Sequence, residues 1–179
     1  MNLKKGGLII TILIVYGYSY GQIKSCPSNA IINNIHKQSQ EMSDAFLKGD
    51  YQKFTKYTYH RILKSIGGES RMIVALQNGK NSLKLKGMSM EKISLDTPSK
   101  IIKSNGELQC TLQEHITFKM NKGKLITTST LIAFSEDEGK NWTFLDTSNK
   151  DEATLRKFLP NLSQSIVIPL QQKPEFRSF

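Results

Sequence analysis

Arginine and histidine are scarce in this chain, cysteine and tryptophan scarcer, and no apolar run is long enough to cross a bilayer as a helix, which takes roughly 20 residues. The only arginines are Arg61, Arg71, Arg156 and Arg177, although the 179-residue chain carries a formal net charge of +10. Sequence-specific nucleic-acid readers lean on arginine forks, so nucleic acid is not expected as a partner. The positive charge is lysine, spread over positions such as Lys53, Lys56, Lys64, Lys80, Lys84, Lys86, Lys119, Lys122 and Lys124. That scatter reads first as a solvated basic surface and second as loose attraction to anionic polymers. His36, His60 and His115 have no metal-ligand spacing, and no cofactor motif, nucleophile elbow or phosphate loop occurs.

What is present begins with a leader. Lys4 and Lys5 precede the apolar residues 8–15, and Ser19-Tyr20-Gly21 resembles a signal-peptidase site. Residues 1–21 are therefore expected to be removed on export, to the periplasm or beyond. A single domain over 22–168 and a loose tail over 169–179 would remain, with a net charge of about +8. Export permits a disulfide between Cys26 and Cys110, and two thiols fit equally well. Lipid attachment at Cys26 is disfavoured by Lys24 and by the early end of the apolar run.

Helical spacing follows. Ser28 is a candidate cap, and Ile31, Ile32, Ile35, Ser39, Met42, Ala45 and Phe46 recur on one face before Gly49. Asp50 then caps a short helix with Tyr51, Phe54 and Tyr57 on its apolar edge. Residues 59–66 and 70–86 read as further helices, stopped at Gly67-Gly68 and Gly87. From residue 88 the period falls to two. Residues 107–120 form the clearest strand, with Leu108, Cys110, Leu112, Ile116, Phe118 and Met120 on one face and Gln109, Thr111, Gln113, His115, Thr117 and Lys119 on the other. Strands over 88–96, 124–134 and 142–146, a helix over 151–159 and an edge strand at Ile166-Val167-Ile168 complete the reading. Helices followed by an antiparallel meander imply an α+β fold with helices on one sheet face. The polar, threonine-rich face is left for water or a second subunit.

The stretch from Phe46 through Gly49-Asp50-Tyr51 to Phe54, followed by this order of elements, resembles the nuclear transport factor 2-like, or SnoaL-like, superfamily, a cystatin-like cone. Gly49-Asp50-Tyr51, Tyr57-Thr58-Tyr59, Gly67-Gly68, Gly139-Lys140-Asn141-Trp142 and Leu159-Pro160-Asn161-Leu162 are also similar to a group of exported proteins of Bacteroidetes-type bacteria. The resemblance implies a curved sheet with a pocket between it and the helices, and sheet faces used for dimerisation. It chooses no activity, because the superfamily holds both enzymes and binding modules.

Candidate site residues follow from departures in pattern. Glu114 interrupts the apolar face between Leu112 and Ile116. Either it is buried with a raised pKa, which would suit an acid or base, or a bulge near Gln113 turns it outward. Tyr57, Tyr59 and His60 cluster at a helix junction, and Asp146 shares an alternate face with Trp142 and Phe144. The string from Ser135 to Trp142 resembles the Asp-box of sialidases and reads as a hairpin turn. The function expected is a non-enzymatic exported domain for a small hydrophobic or amphipathic ligand or a protein partner, including a homodimer. A SnoaL-like enzyme using Glu114 or Asp146 and a module for anionic polymers are the alternatives.

Overall fold

The computed structural model describes residues 29–148 and 150–179. The leader and Cys26 lie outside them, and so do the Cys26–Cys110 bridge and the lipidation reading. The chain runs α1 (Asn29–Lys48), α2 (Tyr51–Thr55), α3 (His60–Ile66), α4 (Glu69–Leu85), β1 (Ser89–Leu95), β2 (Ile102–Ser104), β3 (Glu107–Met120), β4 (Gly123–Ser135), β5 (Thr143–Asp146), α5 (Glu152–Phe158) and β6 (Glu175–Ser178). This is an α+β fold: helices packed on an open six-stranded antiparallel sheet.

The β3–β4 hairpin is the axis of the sheet, and its register is unbroken from Leu108 opposite Ser135 to Met120 opposite Gly123. Each long strand is flanked by two short ones. β1 and β2 share the outer edge of β3, and β5 and β6 share that of β4. Between β1 and β2 the chain stays on the sheet, where Asp96 N donates to Gln113 O (2.9 Å) and Ser99 N to Thr111 O (2.8 Å). The exposed edge of β5 is covered by residues 57–59: Phe144 N donates to Tyr57 O and Tyr59 N to Phe144 O. That covering blocks edge-to-edge association there.

Two cores result, one on each sheet face. On the first, Ile35 and Met42 of α1 pack against Cys110, Leu112, Leu131, Ala133, Trp142 and Phe144. On the second, Leu155, Leu159, Leu162 and Ile166 pack against Tyr59, Ile132, Phe134 and Leu145. The second core corrects the expectation that only one face is covered. Its cause is the continuous apolar run of Leu131, Ile132, Ala133 and Phe134, which places apolar groups on both faces of β4. Ile166-Val167-Ile168 is accordingly no edge strand, and Ile166 is a buried plug over that face. The tail also differs from the expected loose segment, since Glu175–Ser178 pairs with Gly123–Ile126 as β6. Its four residues are all exposed.

The helices are held unequally. α1 buries Ile35, Ser39, Met42, Ser43 and Ala45, whereas α4 buries none of its residues. Among the described residues, no helix is long and apolar enough to cross a membrane.

Candidate ligand-binding cavity

The end of α1 sets up the site. Gly49 takes a left-handed conformation (φ 77°), with Gly49 N donating to Phe46 O and Asp50 N to Ala45 O. This glycine-terminated closure satisfies carbonyls that the last turn would leave bare. The Asp50 side chain then accepts from Lys53 N (3.0 Å) and starts α2 one residue later. The tight exchange of one helix for the next drives Tyr51 inward, edge-on to Phe46 at 5.9 Å between ring centroids. Tyr51 is 6% exposed, and its hydroxyl is buried without a hydrogen-bond partner. Burial pushes the Tyr51 pKa up from its ordinary value, so the group is a neutral donor.

Opposite stands α4, whose apolar residues Met72, Ile73, Leu76 and Leu83 leave a gap one turn wide. The inward positions between Leu76 and Leu83 are Gly79 and Lys80, which supply no apolar bulk. A Cβ on Gly79 would meet no atom within 4 Å. Below this gap lies a cavity of about 740 Å³, within the range of roughly 300–1,000 Å³ common for small-molecule sites. Phe46, Leu47, Leu76, Leu83, Met88 and Met90 provide its apolar wall. Its polar lining comes from Lys80, Lys84 and Lys86 with Asn81, Ser82 and Ser89, and among the described residues no carboxylate lines it.

The residues singled out from sequence lie elsewhere. None of Glu114, Asp146, Tyr57, His60, Tyr59 and Trp142 lines this cavity. Glu114 does face inward: no bulge interrupts β3 at Gln113, and Glu114 is 6% exposed opposite Ser129. Burial, then the charge of Asp146, push its carboxyl up to about 7, against a weak hydrogen bond from Ser129 Oγ (3.4 Å). Asp146 itself is exposed and accepts from Ser148 N and Oγ. Tyr57 donates to Glu41 and ties α2's exit to α1, with burial and then Glu41 pushing the phenol up to about 12. His60 is exposed beside Glu136 at 3.4 Å. Tyr59 belongs to the second core, stacked on Phe134 at 4.0 Å, with its hydroxyl in a buried polar group of Glu107, Gln109 and Asn161. Burial pushes the Cys110 thiol up to about 12, which suits packing and not nucleophilic attack.

The Ser135–Trp142 string forms the hairpin turn read from sequence. Asp137 accepts from Ser135 Oγ, Asn141 N and Asn141 Nδ2, and Trp142 Nε1 donates to Gly139 O (3.1 Å). Burial raises the Asp137 pKa, but those hydrogen bonds outweigh it and hold the carboxyl below its ordinary value. An open recess of about 440 Å³ lies between this turn and α1. Asn34 Nδ2 is spent there on the backbone, donating to Gly139 O and Lys140 O.

Sequence reasoning missed two features. One is the cavity itself, whose only sequence signal is the gap at Gly79-Lys80 in the α4 stripe. The other is His115, which bridges Asp96 Oδ2 (3.1 Å) and Thr128 Oγ1 (3.0 Å) across β1, β3 and β4. Asp96 and Thr128 carry no spacing that would announce it. The chain matches no protein-family model, and neither the curated proteins nor the solved structures contain a match to it.

Proposed function

We propose that the protein is an exported, non-enzymatic binding domain that holds a small hydrophobic or amphipathic ligand between α4 and the end of α1. The observation that carries this reading is the cavity itself, with Phe46, Leu47, Leu76, Leu83, Met88 and Met90 as its apolar wall. The unburied state of α4 supports the same reading, since a helix with few buried contacts opens at low cost to admit a guest.

The test is titration of the purified protein with the neutral apolar fluorophore N-phenyl-1-naphthylamine. Saturable one-site enhancement is expected, and Gly79→Phe should abolish it while leaving the circular dichroism spectrum intact. Equal enhancement by the parent and Gly79→Phe would remove the cavity from consideration. The enzyme alternative rests on Glu114 beside Asp146, which lie outside the cavity lining. Glu114→Gln is therefore expected to bind the fluorophore with unchanged affinity.

A further inference from the structure

The cavity has an asymmetry of charge that the binding reading alone does not use. Its polar lining holds Lys80, Lys84 and Lys86 and no acidic residue. Among the described residues, none of these three lysines forms an ion pair. Elsewhere on the surface, Lys103 and Lys124 do find carboxylates, at 3.3 and 2.8 Å. Lys80 is also placed over the cavity's α1 end, because its Nζ stands 3.2 Å from where a Gly49 Cβ would be. Apolar walls with cations at the rim are complementary to a chain-like molecule with a negative end.

We propose that the ligand is a single-chain amphiphile with an anionic head, a long-chain carboxylate, whose chain fills the Phe46–Leu76–Leu83–Met88 space and whose head meets Lys80 and Lys84. This rests on the cavity being a binding site. The lysines are exposed, so the carboxylate stays partly hydrated and escapes the large cost of burying a bare charge. The same exposure caps the gain. Rim ion pairs are individually weak, so two or three together amount to roughly tenfold in affinity, screened by salt.

The experiment is calorimetric titration of the purified protein with three probes of one chain length: dodecanoate, dodecan-1-ol and dodecyltrimethylammonium. Dodecanoate is expected to bind about tenfold more tightly than the alcohol, and the ammonium most weakly. That preference should shrink with added salt and vanish in the triple variant Lys80→Gln, Lys84→Gln, Lys86→Gln, which keeps alcohol binding. Equal binding of all three probes, or a carboxylate preference that survives the triple variant, overturns the head-group assignment and leaves the cavity in place. Absence of binding by any probe, or binding unaffected by Gly79→Phe, overturns the cavity reading with it.

Discussion

α1 and α4 have comparable lengths, 20 and 17 residues, yet they are held in opposite ways. α1 lies across the sheet with Ile35 and Met42 in the first core, and its polar Asn34 and Gln38 reach the turn at Gly139-Lys140 and Trp142 N. α4 buries none of its residues, and the space under its Gly79-Lys80 gap is empty of side chains. Both apolar stripes skip one turn, at Gln38-Ser39 between Ile35 and Met42 and at Gly79-Lys80 between Leu76 and Leu83. In α1 the small Ser39 fills its gap fully buried against the molecule, whereas in α4 Gly79 and Lys80 are exposed over the cavity. On the proposed function, α4 supplies most of the binding wall and α1 only its last turn, Phe46 and Leu47.

The largest effect should come from the tight side. Trp142 is 1% exposed, packs in the first core and closes the Asp137 turn through Nε1. Trp142→Ala is expected to cost about 3–5 kcal/mol in urea unfolding. Leu76→Ala, on the half-buried wall of α4, should cost under about 1 kcal/mol. Similar losses from both substitutions would erase the distinction between the two regions.

Much of this contrast was legible before the structure. The stripe from Ile31 to Phe46, the Gly49-Asp50 exchange and the alternation over residues 107–120 rest on local physics, and each appears where its period or cap requires. The inward Glu114 was one of two open readings, and only the unbroken β3–β4 register decides between them. Ile166 was expected on an edge strand and is a core plug instead, because a short apolar run far along the chain looks the same in either role. The cavity was invisible for a different reason. It is made by side chains that are absent, and Lys80, Lys84 and Lys86 look like any solvated lysines until they are found lining one cavity.

Glu114 sharpens the comparison through pH. Its folded pKa of about 7 stands above the ordinary 4.5, so between those values the folded state holds a proton that the unfolded state has lost. Stability should therefore fall as pH rises through that window. The penalty is absent below about pH 4.5 and complete above about pH 7, where it approaches roughly 3 kcal/mol. Glu114→Gln keeps the side chain's size and its acceptor for Ser129, and should stabilise the protein at pH 8 while flattening this slope. Urea unfolding at pH 5 and pH 8 measures it. An unchanged slope would place Glu114 in contact with solvent and weaken the description of the tight side.

The smallest effect probes α4 directly. Glycine inside a helix costs roughly 1 kcal/mol relative to alanine, and Gly79 lies in the interior of Glu69–Leu85. In a closely packed helix the added methyl would collide, as core overpacking usually destabilises. At Gly79 it meets no atom within 4 Å. The propensity gain should then be realised nearly in full, so Gly79→Ala is expected to raise stability by about 0.5–1 kcal/mol and the melting temperature by about 2–4 °C. Its methyl takes only a small part of the cavity, so binding of N-phenyl-1-naphthylamine should persist where Gly79→Phe removes it. A destabilised Gly79→Ala would mean that α4 closes onto the molecule in solution, and the wall and the structural helix would then be the same kind of element.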